Sequence, residues 1–319
     1  MGKYLVRRVL TIIIVLWAVA TLTFLLVHVS PGDAAELIII QTYGEEAVSP
    51  ENLQEMSQKF DLDRPFIVQY ADWLGGVFSG DFGTSYKYNA PVSDMLAARL
   101  PNTVYLGSIA LLISIVLGIP FGIISAIHRN GIIDHITRLI TLFLSSFPGF
   151  WVGLMLVVVF SIQLKMFPTS GMNQINSVVL PAVTLSIGTT ASITRMMRTS
   201  MLDVLGQEYI TVARAKGLTR HKVIFTHALR NALPPIITVI ALSVGHILGG
   251  SVVVETIFAW PGVGDLFNNA VLAKDTPMME GCVILIAFGY AFANLVSDIN
   301  YACIDPRVKS GLQSSASVA

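Results

Sequence analysis

The chain has 319 residues, 54% of them hydrophobic and only 13% charged, and its formal net charge is zero. A soluble domain carries about 25% charged residues. The deficit, with a mean hydropathy of +0.69, excludes an ordinary water-soluble enzyme and points to lipid as the solvent. Cys282 and Cys303 both fall in or beside the last apolar segment and read as small buried hydrophobes, not as a disulfide or a metal site.

In chain order, Lys3, Arg7 and Arg8 precede an apolar run from Val9 to Val29. That run is too long for a cleaved signal peptide and no small-residue cleavage site follows it, so it reads as a retained spanning helix. Five further segments reach the roughly 20 apolar residues a bilayer requires: about 102–125, 137–162, 179–197, 232–254 and 280–302. The fourth is rich in Ser, Thr and Ala, which suits contact inside a bundle better than contact with lipid. Gly118-x-x-x-Gly122, with Pro120 between, predicts a close-packed, bent second span, and Phe147-Pro148-Gly149 predicts the same of the third.

The first two spans are separated by residues 31–100, which carry eleven Asp or Glu against four Lys or Arg. "SPENLQEMSQKFDLDRP" predicts a short helix with Ser49 as cap, Pro50 at its first position and Leu53, Met56 and Phe60 on one face. "GGVFSGDFGTSY" reads as turns, and "APVSDMLAARLPNTVYL" as an interfacial helix leading into the second span. By contrast, residues 195–230 hold seven Lys or Arg against Asp203 and Glu208. Positive loops face the cytoplasm, which places both termini and this loop inside and the acidic stretch outside. The expected architecture is all-α: a cytoplasmic N-terminus and first span (1–30), an extracytoplasmic segment (31–101), a transmembrane core (102–305) containing a cytoplasmic loop (198–231), and a cytoplasmic tail (306–319).

The basic loop has internal design. "QEYITVARAKG" puts Tyr209, Val212 and Ala213 on one helical face, and Gly217 follows as a left-handed stop. Thr219 is placed to cap a second short helix containing Val223, Ile224 and Ala228. Leu233-Pro234-Pro235 predicts entry into the fifth span, since proline suits a first turn. A charged loop that only fixed topology would need none of this. A short helix on a stiff stem suits insertion into a partner's groove.

This loop resembles the "EAA" coupling loop of permease subunits in binding-protein-dependent ABC importers, in particular the peptide and nickel branch. In the general form, Glu-Ala-Ala stands six to four residues before a Gly. Here Thr211, Val212 and Ala213 occupy those places ahead of Gly217, inside "ARAKGL". The resemblance extends to "VSPGD", "LPNTVYLG", "FPGFWVGL", "VVVETIFAWPGVG" and "DPR" at 305–307. It implies a type I importer permease fold with six transmembrane helices in a prokaryotic cytoplasmic membrane. It also implies a second homologous permease subunit, two cytoplasmic ATP-binding subunits and an extracytoplasmic substrate-binding protein, with no nucleic-acid partner. Glu208 to Gly217 would be the coupling helix, with Arg214, Lys216 and Arg220 pairing with ATPase carboxylates. Glu255, beside "TIFAWPGVG", would belong to the outer vestibule.

There is no G-x-x-x-x-G-K-[ST] motif, so ATP and Mg are expected on the partner subunits, with no cofactor and no enzyme site in this chain. His221 and His227 are six apart and do not share a helical face as a ligand pair, and His128 and His135 are seven apart but flank a Gly in a loop. Within the spans, His246 follows Gly245 of a Gly-x-x-x-Gly pair completed by Gly249. It either bonds across that helix interface or lies on a translocation path. Asp298, with Asn294 and Tyr301 nearby, suggests an interior polar cluster or an inner gate. An intramembrane enzyme would need paired catalytic groups, which isolated His246 and Asp298 do not supply. A secondary transporter would need an inverted repeat or a carboxylate-rich path. Peptides are the favoured cargo, with nickel or a metal chelate as the alternative.

Overall fold

The structure is a computed structural model and describes residues 2–29, 34–59 and 63–304. The tail 306–319, the "DPR" motif, residues 30–33 of "VSPGD" and Phe60 lie outside the described residues, as do the side chains of Tyr301 and Cys303.

The described residues are helical almost throughout. α1 (Gly2–Val29) is followed by α2 (Ala34–Tyr43), α3 (Pro50–Lys59) and α4 (Phe66–Ser79). Then come α5 (Val92–Ile127), α6 (Ile132–Ser146), and α7 (Gly149–Leu156), which continues as a wide π turn over Val157–Gln163. α8 (Val179–Leu205) leads to α9 (Glu208–Ala215) and α10 (Arg220–Lys222). A second π turn, Val223–Ala228, runs into α11 (Leu229–Ile257), and α12 (Val263–Leu272) and α13 (Thr276–Ile304) complete the chain. Among the described residues five helices are long and apolar enough to cross a membrane, and a sixth span results if α6 and α7 count as one.

That pair carries the bend expected of the third span at Phe147-Pro148-Gly149, and the bend is sharp. α6 and α7 meet at 101°. The cause is local: the ring of Pro148 excludes Phe147 from helical geometry, and Phe147 is extended at ψ 141°. Proline acts differently elsewhere. Pro234 and Pro235 lie inside α11, not at its start, because the helix begins at Leu229 and they fall in its second turn. Pro101 lies inside α5, so the expected separate interfacial helix is one piece with the second span.

The chain forms two compact units. One contains Val104–Trp260 and the segment from Tyr290. Its core joins Ile123, Ile193, Met197, Met201, Ile210 and Ile236. α8 is its most enclosed span, with Thr184, Ser186, Thr189, Thr194 and Ser200 buried, as its Ser/Thr/Ala content predicted. Gly118 and Gly122 allow α5 to lie against it. A Cβ on Gly122 would stand 2.5 Å from Met197 Cβ and 2.8 Å from the Thr194 carbonyl.

The other unit contains Lys3–Thr103 and Pro261–Gly289. α3 forms as predicted: Ser49 Oγ accepts the Asn52 amide at 3.2 Å, and Met56 is buried with Ile38 and Ile39 of the unforeseen α2. α4 was also unforeseen, and its Gly75 and Gly76 are helical instead of turn residues. Phe66, Tyr70 and Trp73 of α4 surround Phe24 of α1 with ring centroids 5.3, 5.3 and 5.1 Å away. Asp275, fully buried just before α13, organises the loop after α4. It accepts the Ser85 hydroxyl and the amides of Tyr86 and Lys87, the latter two at 3.1 and 3.3 Å.

Candidate functional site

The loop after α8 takes the predicted helix–Gly–helix form. α9 has Glu208 in its first turn and Arg214 in its last, the arrangement that complements the helix dipole. It ends on Gly217 at φ 76°. The Gly217 amide donates to the Arg214 carbonyl at 3.0 Å, and the Leu218 amide to that of Ala213 at 3.4 Å. These two bonds form a Schellman cap. Thr219 then accepts the Lys222 amide through its side chain.

The structure divides the residues predicted to share one face. Ala213 is buried together with Ile210, against Val223, Ile224 and Ala228, so it supports α9 from beneath instead of facing a partner. Its i−3 neighbour Ile210 points the same way, which turns Tyr209 and Val212 outward at 43% and 52% exposure. Phe225 is exposed as well, with the His221 ring tilted against it, centroids 4.5 Å apart. Tyr209 is held in place by Asn231, whose amide donates to its hydroxyl at 3.1 Å. Glu208, Thr211, Arg214 and Lys216 are exposed. Arg220 is exposed too, but it donates to the Ile127 carbonyl at the end of α5, 3.4 Å away. Its guanidinium thus braces the loop against the end of α5.

A second feature lies within the same unit. The break between α6 and α7 leaves a cavity of about 540 Å³ against α8 and α11, and His246 lines it. Ser145, Thr189, Ser192, Arg195 and Ser243 add polar surface, while Phe147, Phe150 and Val152 supply apolar wall. His246 is exposed to this cavity. Gly245 next to it is the close-packed member of the glycine pair, since a Cβ there would stand 2.8 Å from the Tyr290 ring; a Cβ on Gly249 would meet nothing within 4 Å. Glu255, expected at the outer vestibule, is fully buried in this chain, and its carbonyl accepts the Trp260 amide at 2.8 Å. Asp298 is half-buried on α13 and is not among the residues lining the cavity.

Sequence reasoning missed the ionic cluster at the foot of α6. Arg198 Nε and Nη2 donate to the two oxygens of Asp134 at 2.6 and 2.8 Å. Ser125 and the Asn130 amide complete the carboxylate's shell at 2.6 and 2.9 Å. Asp134 and Arg198 both lie just outside the spans expected from the sequence, so no local signal marked the pair. Arg195, one turn before Arg198, donates to Ser145 at 2.8 Å.

The sequence matches the family of binding-protein-dependent transport system inner membrane components over residues 118–310, and the N-terminal component of such membrane proteins over residues 1–107. It is 38% identical over 320 residues to the oligopeptide transport system permease protein AppB of Bacillus subtilis (strain 168), covering 97% of this chain and all of that one. It is 35% identical over 340 residues to the dipeptide transport system permease protein DppB of Escherichia coli (strain K12), covering 97% and 99%. The glutathione transport system permease protein GsiC of Escherichia coli O1:K1 / APEC is 36% identical over 309 residues, with the same coverage. Among solved structures, the inward-facing MetNI methionine ABC transporter superposes with a TM-score of 0.53 at 17% identity, covering 66% of this chain and 96% of that one, a likeness of fold. With family matches that together take in nearly the whole chain and relatives alike from end to end, this chain belongs to the permeases of binding-protein-dependent ABC transporters, multi-pass proteins of the bacterial inner membrane.

Proposed function

We propose that this chain is the membrane subunit through which a bacterial importer moves di- and oligopeptides into the cell. The observation that carries the cargo is the end-to-end likeness to permeases named for oligopeptide, dipeptide and glutathione transport, at 35–38% identity. ATP hydrolysis resides in partner subunits of such transporters, and a binding protein is implied by the family. The finer assembly is a heterodimer with a homologous permease, two ATPase subunits beneath it and a binding protein outside. The charge pattern supports the orientation, with the 195–230 loop and both termini cytoplasmic and residues 31–101 outside.

In this reading the 208–227 loop is the coupling element. Tyr209 and Val212 enter the ATPase groove and contribute more than Arg214 or Lys216, whose exposed ion pairs are worth about 0–1 kcal/mol each. Closure of the ATPase pair on ATP moves the loop. Because the Gly217 cap and the buried Ile210 fix α9 to α8 and α11, that motion reaches the spans. Substrate passes through the cavity at His246 while the subunits alternate between outward and inward opening, each ligand binding the two states unequally.

The test is paired uptake of a labelled tripeptide and of labelled nickel, in cells with the gene deleted and then restored. Loss and recovery of tripeptide uptake alone supports the peptide reading. Loss of nickel uptake alone replaces it with metal-chelate import.

A further inference from the structure

The cluster at α6 and α8 holds three arginines and one carboxylate. Asp134 is matched bidentately to Arg198, and Arg138 approaches it at 3.8 Å. Arg195 forms no ion pair among the described residues. Its bonds go to neutral groups: Ser145 at 2.8 Å, Ser192 at 3.4 Å and the Thr141 carbonyl at 3.5 Å. A cation within a spanning helix is costly unless it faces water or an anion. Arg195 faces the first, since it lines both the His246 cavity and an adjoining one of about 560 Å³, and neither is lined by any Asp or Glu.

The register of α8 against α11 gives the dimension of the site. Ser200 bonds to the Ala232 carbonyl at 2.8 Å, and a Cβ on Gly250 would lie 3.3 Å from Leu185. The helices are therefore antiparallel, with His246 level with the Gly188–Thr189 turn and Arg195 some seven residues along. At about 1.5 Å per residue that is roughly 10 Å. An extended chain covers about 3.3–3.6 Å per residue, so the interval suits a tripeptide. A tripeptide in water is a zwitterion whose two ends need different surroundings. The guanidinium, held by Ser145 in a fixed pose, offers the planar donor set that matches a carboxylate. The apolar wall of Phe147, Phe150 and Val152 suits side chains.

We infer that Arg195 is a specificity-determining residue that receives the free α-carboxylate of a peptide in transit, with the peptide's amino end toward His246. This rests on the peptide-import reading and adds to it which group of the cargo the permease recognises. It also separates peptide recognition from occupation of the same arginine by an anionic lipid headgroup, which would not respond to the terminus of the cargo.

The experiment uses the complete importer, with both permeases, the ATPase subunits and the binding protein, reconstituted in liposomes. Uptake of labelled trialanine and of trialanine amide is measured for wild type, Arg195→Gln and Arg195→Lys. Because the binding protein is the same throughout, any change in the acid-to-amide ratio belongs to the permease. The inference expects Arg195→Gln to lower trialanine uptake at least tenfold, to change amide uptake less than twofold, and to leave binding-protein-stimulated ATP hydrolysis intact. Arg195→Lys should restore most of the preference. An unchanged acid-to-amide ratio in Arg195→Gln, or a parallel fall of both uptakes and of ATP hydrolysis, overturns it. Failure of the wild type to take up either peptide instead overturns the peptide-import reading itself.

Discussion

Arg198 of α8 grips Asp134 of α6 with two hydrogen bonds, 2.6 and 2.8 Å long, from residues 64 apart in the chain. The Asp134 carboxylate has no exposed surface, whereas Arg198 retains 19%. Removing one member of a buried pair costs about 3–5 kcal/mol, because the other charge is stranded. The two single substitutions should differ. Arg198→Ala strands a carboxylate that cannot reach water, while Asp134→Ala leaves a guanidinium that can extend outward. Thermal unfolding in detergent should therefore show Arg198→Ala as the more damaging, and the double substitution should cost clearly less than the sum. Strict additivity would mean that the pair contributes nothing beyond its separate contacts.

The contact between α5 and α8 makes an opposed pair of glycine predictions. A methyl on Gly122 would meet the Met197 side chain and a backbone carbonyl below 3 Å, and backbone cannot yield cheaply. Overpacking of this kind costs about 1–3 kcal/mol, so Gly122→Ala should lower the unfolding temperature measurably. Gly249→Ala meets nothing within 4 Å in this chain and should unfold close to wild type. Equal unfolding temperatures for the two would contradict the close approach at Gly122.

How legible these features are from sequence depends on their range. The spans follow from apolar length, and the Ser49 cap and the Gly217 stop follow from a few adjacent residues, so all of these appear as predicted. The prolines show the boundary of that reasoning. Pro148 breaks its segment, while Pro101, Pro234 and Pro235 are absorbed into helices, because neighbouring groups in a bundle can satisfy the freed carbonyls. α4 was read as turns on the strength of Gly75-Gly76, yet Phe66, Tyr70 and Trp73 secure it to Phe24. The Asp134–Arg198 and Asp275–Tyr86 contacts join residues 64 and 189 apart, and no spacing rule in one sequence signals them. In the loop after α8, charge and the glycine located α9. Which of its apolar residues face inward depended on Ile210, whose burial only the packing of α9 on Val223 and Ala228 decides.

Tyr86 gives the unit that contains it a pH dependence of definite sign. Burial, followed by the nearby negative charges of Glu280 and Asp275, raises its phenol well above the ordinary value of 10.0. A folded-state value above the unfolded one means stability that is complete below the unfolded value and is lost as pH rises through the folded one. The unit containing Tyr86 should thus be insensitive to this group at pH 7–9 and weaken progressively above about 10. Tyr86→Phe should remove that alkaline loss, read as a flatter dependence of unfolding temperature between pH 9 and 11. If the variant and wild type lose stability in parallel there, the phenol is not the responsible group.

The two faces of α9 give the sharpest prediction for coupling. Ile210 is fully buried and Tyr209 beside it is exposed, so adjacent substitutions should report different properties. Ile210→Ala creates a cavity and should cost about 2–5 kcal/mol of stability. Val212→Glu alters outward surface only and should leave the unfolding temperature of the isolated chain within a degree or two, a surface change being worth about 0.5 kcal/mol or less. Tyr209→Ala also loses the exposed bond from Asn231 and should cost somewhat more, still well below Ile210→Ala. In the assembled importer the order should reverse: Val212→Glu should weaken co-purification of the ATPase subunits and abolish binding-protein-stimulated ATP hydrolysis. Gly217→Ala should fall between, since a φ of 76° strains any side chain by about 1–2 kcal/mol and the strain would loosen the cap that closes α9. If Val212→Glu retained full ATPase association and stimulation, the exposed face of α9 would not be the docking surface. The contact would then have to be sought at Phe225 and His221 on the following turn.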